Sequence, residues 1–65
     1  MNPFEEIQIN QNEIAIQLAE EDALEYFGLK NKEEASTLPE EKKKEIFDFL
    51  CERFIIYGGK KIVYQ

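Results

Sequence analysis

Apolar residues at Ile46, Phe47, Leu50, Cys51, Phe54 and Tyr57 recur every three or four positions through a stretch that is otherwise charged. That is the spacing of one face of an α-helix. Thr37-Leu38-Pro39-Glu40 fits a capping box at its start: the threonine hydroxyl accepts from a backbone N–H, Glu40 reaches back, and proline sits where no donor is needed. Gly58-Gly59 supplies the left-handed conformation that ends it. The pattern predicts a helix over 38–57. A rival reading breaks the helix near Arg53 and makes Phe54–Tyr57 and Lys60–Tyr64 a hairpin around the glycines. The stripe's continuation through Tyr57 favours the helix.

A shorter helix is predicted over 19–27. Gly28 takes the left-handed position after it, and Leu29 folds back on Leu24, the contact of a Schellman motif. Ala19, Ala23, Leu24 and Phe27 line one side, and Glu21, Asp22 and Glu25 the other. The polar stretch 30–36 is a connector with room for one helical turn.

Residues 4–18 carry a different period. Ile7 and Ile9 alternate with polar residues, as do Ile14, Ile16 and Leu18, which is strand periodicity. Pairing Ile9 with Ile14 and Ile7 with Ile16 leaves Gln11-Asn12 as a two-residue turn, and asparagine tolerates positive φ there. Asn2-Pro3-Phe4-Glu5 resembles a helix start and speaks for the alternative; the hairpin is preferred. Ile62, Val63 and Tyr64, following the glycines, read as a short strand over 60–65. The expected fold is therefore α+β, in the order β-β-α-α-β. A short antiparallel sheet, made of the N-terminal hairpin and the C-terminal strand, packs on two helices in a single domain over 1–65.

Charge changes this picture more than composition does. Met1 to Leu29 holds seven carboxylates and no lysine or arginine, while Lys30 to Gln65 holds seven acids against eight bases, so −7 and +1 make the net −6. A single-sign field steers oppositely charged partners. Sixty-five residues with one cysteine and no histidine exclude an internal disulfide, and argue against a zinc site. A chain this small has little core material, so self-association or a partner is the expected source of further stability. Eight aromatics oppose intrinsic disorder. No segment reaches the length of a membrane span and Met-Asn-Pro-Phe-Glu-Glu is no secretory signal, which predicts a cytoplasmic protein with a reduced thiol.

Few patterns carry chemistry. On the wheel of the long helix, Glu41, Glu45, Asp48 and Glu52 share one narrow sector, although like charges at i,i+4 repel. Phe49 and Ile56 point away from the Leu50–Phe54 direction and are the expected oligomer interface, unless strands cover them. Glu20, Glu21, Asp22 and Glu25 form a second acidic group. It is read either as first-turn carboxylates favoured by the helix dipole or as a surface for a basic partner. Glu21 and Glu25 lack the loop of a calcium site. Cys51 lies in the helical stripe with no histidine to activate it. Lys42-Lys43-Lys44 alternates with Glu40, Glu41 and Glu45, and a pI near 4.5 opposes direct nucleic-acid binding. No catalytic, cofactor or metal residues are assigned.

A very small, acidic chain without histidine or motif is similar to orphan proteins of bacteriophages and mobile elements, many of which bind and block a host protein. The resemblance implies an inhibitor of a basic, nucleic-acid-handling protein. The residues themselves predict a non-catalytic binding module that forms a homodimer through Phe49 and Ile56. Both acidic groups, Glu20, Glu21, Asp22 and Glu25 with Glu41, Glu45, Asp48 and Glu52, would face the partner. The competing expectation is an assembly component whose main contact is itself.

Overall fold

The structure, a computed structural model, describes residues 2–7 and 12–59. It contains α1 (Pro3–Glu6), α2 (Glu13–Phe27), a 3-10 helix (Lys32–Thr37) and α3 (Glu40–Ile56). There is no strand among the described residues, so the expected α+β fold in the order β-β-α-α-β is replaced by a small all-helical one. Ile9 and Gln11 of the expected hairpin, and the strand expected over 60–65, lie outside the described residues.

The hairpin fails at Ile14, Ile16 and Leu18, which belong to α2. Its start is fixed by Asn12, whose side-chain oxygen accepts from Ala15 N–H at 3.2 Å, leaving the asparagine as a helix cap rather than a turn residue. The buried face then runs through Ala15, Ile16, Ala19, Glu20 and Ala23, a helical spacing in which three of the four apolar members are alanine. Alanine is the best helix former, losing no side-chain entropy. Reading only isoleucine and leucine gives alternation over five residues; counting alanine gives a helical face over nine. Ile14 shows the cost of the first choice, since it is 74% exposed.

Asparagine opens each of the first three elements. Asn2 Oδ1 accepts from Phe4 N–H at 2.9 Å, with Pro3 at the first helical position. Asn31 Oδ1 accepts from Glu34 N–H at 3.1 Å. The Asn2 amide also donates to the Lys32 carbonyl at 2.8 Å, tying α1 to the 3-10 helix.

The expected capping box at Thr37 is absent. Thr37 ends the 3-10 helix, so its hydroxyl meets carbonyls behind it and donates to Glu34 O at 2.9 Å. Pro39 is the residue before α3, and no side chain caps that helix. The two glycine caps are as expected. Gly28 has φ +68°, and Leu29 N–H reaches Leu24 O at 2.8 Å. Gly58 has φ +99°, and Gly59 N–H reaches Phe54 O at 2.9 Å.

Pairs between α2 and α3 run in opposite order: Phe27 with Phe49, then Asp22 with Arg53 and Tyr57. The helices are therefore antiparallel. Their shared core holds Ile46, Leu50 and Phe54 of α3 against the α2 alanines and Ile16, with Phe4, Ile7 and Ala35 closing it. Pro3 and Glu6 of α1 lie beside Glu40, Lys43, Lys44 and Phe47, so α1 occupies the flank of α3 away from Phe49 and Arg53.

Candidate protein-binding surface

The long helix places its acids as the wheel requires. Ile46, Leu50 and Phe54 face the core, and Glu41, Glu45, Asp48 and Glu52 are all exposed on the far side. At about 1.5 Å rise per residue they extend over roughly 16 Å. Among the described residues one of the four has an ion-pair partner: Glu45 lies 3.3 Å from Lys42 Nζ, and both partners are exposed. Such pairs contribute about 0–1 kcal/mol.

The group on α2 divides. Because α2 begins at Glu13, these acids are mid-helix and the first-turn dipole explanation does not apply. Glu20 is buried and its carboxylate is 3.5 Å from Lys32 Nζ. Asp22 accepts from Arg53 Nε at 3.0 Å and from the Tyr57 hydroxyl, while the Arg53 guanidinium lies 5.4 Å from the Tyr57 ring centroid. The Tyr57 hydrogen bond, then the Arg53 contacts, hold the Asp22 carboxyl below the usual aspartate range against opposing desolvation. Cations of the second half thus cover Glu20 and Asp22, whereas Glu21 and Glu25 stay exposed.

The two residues expected at an oligomer interface sit differently. Phe49 is half-buried, stacked on Tyr26 with centroids 4.7 Å apart and edge-on to Phe27 at 5.5 Å. Ile56 is 63% exposed. Sequence reasoning overlooked Tyr26, which is 70% exposed although it stacks on Phe49. It also placed Leu18 in a strand. The missed indication was spacing: Leu18, Asp22 and Tyr26 fall at i, i+4 and i+8 once α2 is extended to Glu13.

Other features offer less. A groove of about 370 Å³ between α1 and α3 is floored by Pro3 and Phe47 and rimmed by both charge signs, with Lys43 held 3.4 Å from Glu40. Burial, then the Asp48 carboxylate, pushes the Cys51 thiol up, away from the reactive thiolate. Among the described residues no three His, Cys, Asp or Glu side chains come together as a metal site, and no helix is long and apolar enough to cross a membrane. Comparison with protein-family models, with curated proteins and with solved structures finds no match to this chain.

Proposed function

We propose that this chain is a small, non-catalytic binding module of a reducing, cytosolic compartment that engages a basic protein through its acidic helical surface. The exposed pole of α3 carries this reading. Glu41–Glu45 and Asp48–Glu52 are like-charge pairs at i,i+4, each costing a few tenths of a kcal/mol, and a basic surface would relieve them. Glu21 and Glu25 add exposed charge of the same sign on α2. The chain has no histidine to activate its one thiol, which burial pushes up, and this favours a binding role over thiol chemistry.

The test replaces Glu41, Glu45 and Glu52 with Gln and Asp48 with Asn, which keeps the helix and removes four charges. Affinity capture with the parent chain should recover a basic protein at ~0.1 M salt and lose it at ~1 M, where the screening length falls from ~10 to ~3 Å. The neutralised variant should lose it at both. Equal recovery by both chains, with circular dichroism unchanged, removes the reading. A second reading, self-assembly, has the exposure of Ile14, Ile55 and Ile56 in its favour; sedimentation across a concentration series decides it.

A further inference from the structure

Two rows of side chains meet along one seam of the α2–α3 pair. Leu18, Asp22 and Tyr26 form the α2 row; Phe49, Arg53 and Ile56 form the α3 row at i, i+4 and i+7. Tyr26 stacks on Phe49 at one end, with rings 14° apart, and Asp22 holds Arg53 at 3.0 Å in the middle. One turn further, Leu18 and Ile56 bring both rows to the other end, 38% and 63% exposed. The seam is thus apolar, then internally neutralised, then apolar again, with its apolar ends about 11 Å apart. Glu21 and Glu25 border it on α2, and Glu52 and Glu45, the latter paired with Lys42, border it on α3, all four exposed.

Resting on the binding-module reading, we propose that this seam seats a basic amphipathic helix of the partner protein. A helix laid in a groove presents apolar anchors at i, i+3 or i+4, and i+7; i to i+7 spans about 10.5 Å, the separation of the aromatic and aliphatic ends. The acidic borders match lysines or arginines flanking that apolar strip. Arg53, the cation at the centre, is already engaged by Asp22 and Tyr57, so it does not repel the incoming charges. A second copy fits less well, since identical faces bring the same carboxylates together. An anionic membrane surface is repelled by them.

The probe is a synthetic Leu/Lys peptide about five turns long with its leucines at helical spacing; the control has the same composition, shuffled. Binding is read by anisotropy of a labelled peptide and by amide NMR of the whole chain. The patterned peptide should bind at least tenfold more tightly than the shuffled one, with shifts gathered at residues 18–26 and 49–56. Tyr26→Ala and Ile56→Ser should each weaken it about tenfold, and Glu41→Gln, outside the seam, less than twofold. If Tyr26→Ala does not fold, Ile56→Ser with the shift map carries the test, because Ile56 is solvent-facing. Equal binding of both peptides, with shifts at Glu41 and Asp48, overturns the groove and leaves the acidic-surface reading standing. No binding of either peptide overturns the groove, and the capture experiment then judges the acidic surface by itself. Concentration-dependent broadening at Tyr26 and Ile56 without peptide overturns it in favour of a second copy.

Discussion

Helices α2 and α3 face one another across the core with opposite materials. The side of α3 in the shared core is built from large side chains, Ile46, Leu50 and Phe54, while that of α2 is Ala15, Ala19 and Ala23 with Ile16, beside the buried Glu20. One helix supplies volume and the other supplies room for it. Close packing makes these roles complementary: small residues let the α2 backbone approach, and the α3 side chains fill the space that remains. Their outer faces differ as well. The α3 pole carries Glu41, Glu45, Asp48 and Glu52, with the exposed Lys42 and Lys44 at its edges, whereas the α2 pole mixes Ile14 and Leu18 with Glu21 and Glu25. A docking surface that needs both apolar anchors and charge therefore has to draw on both helices, and the seam between them is where the two meet.

The sharpest break of that complementarity comes from removing volume on one side and adding it on the other. Phe54→Ala deletes a fully buried ring and should cost about 3–5 kcal/mol, comparable to the whole stability of a domain this small. Thermal or urea unfolding of the variant should show a lost or strongly shifted transition. Ala19→Leu inserts bulk where α2 has none to spare and should cost about 1–3 kcal/mol. If Ala19→Leu is neutral, the alanine face is not in close contact and the division of roles between the helices is wrong.

That division also explains which parts were legible in the sequence. The α3 face is written in strong hydrophobes, so Ile46, Leu50 and Phe54 predicted both the helix and the exposed sector holding Glu41, Glu45, Asp48 and Glu52. Gly28 and Gly58 marked both helix ends because a left-handed residue is a local requirement, visible without knowing the fold. The first half of α2 was hidden because Ala15 and Ala19 carry little hydrophobicity, while Ile14, Ile16 and Leu18 alternate by coincidence over a few positions. The burial of Glu20 and the Asp22–Arg53–Tyr57 cluster depend on residues 12 to 35 positions apart. No local pattern announces them. Neither does the Tyr26–Phe49 stack, so the seam existed only once both helices were in place.

Between the two glycine caps a smaller contrast can be tested. Gly28 has open space around its missing side chain, so Gly28→Ala meets only the backbone penalty of φ +68°, about 1–2 kcal/mol. Next to Gly58, Gly59 is different: a Cβ there would collide with the Phe54 ring. Gly59→Ala should therefore exceed Gly28→Ala in cost, and amide shifts at Phe54 should move in the first variant alone. The helix starts give a parallel comparison. Asn12→Ala removes a side-chain cap from α2 and should cost about 1 kcal/mol, whereas Thr37→Ala removes no cap from α3. Equal losses from the two would restore the capping box that the structure replaces.

The smallest expected effect concerns the charged link between Asp22 and Arg53 across the seam. The Asp22 carboxyl is held below its ordinary value, near 3.9, chiefly by the Tyr57 hydroxyl and then by Arg53, whose own guanidinium is pushed further up by the same two partners. A carboxylate whose folded-state pKa is depressed contributes stability above its unfolded pKa and loses it as pH falls through the folded value. The contribution is therefore intact at neutral pH and fades below about pH 4, while Arg53 stays charged throughout. Comparing unfolding of the parent chain and Asp22→Asn between neutral and acid pH isolates this link, since the other carboxylates are common to both. The parent should be the more stable at pH 7, and the gap should narrow steadily toward pH 2. Tyr57→Phe should raise the Asp22 midpoint followed by carboxyl NMR, because the first cause of the depression is gone. A gap that is constant with pH would mean that α2 and α3 are joined by packing alone, and a midpoint indifferent to Tyr57 would leave Arg53 as the cause of the depression.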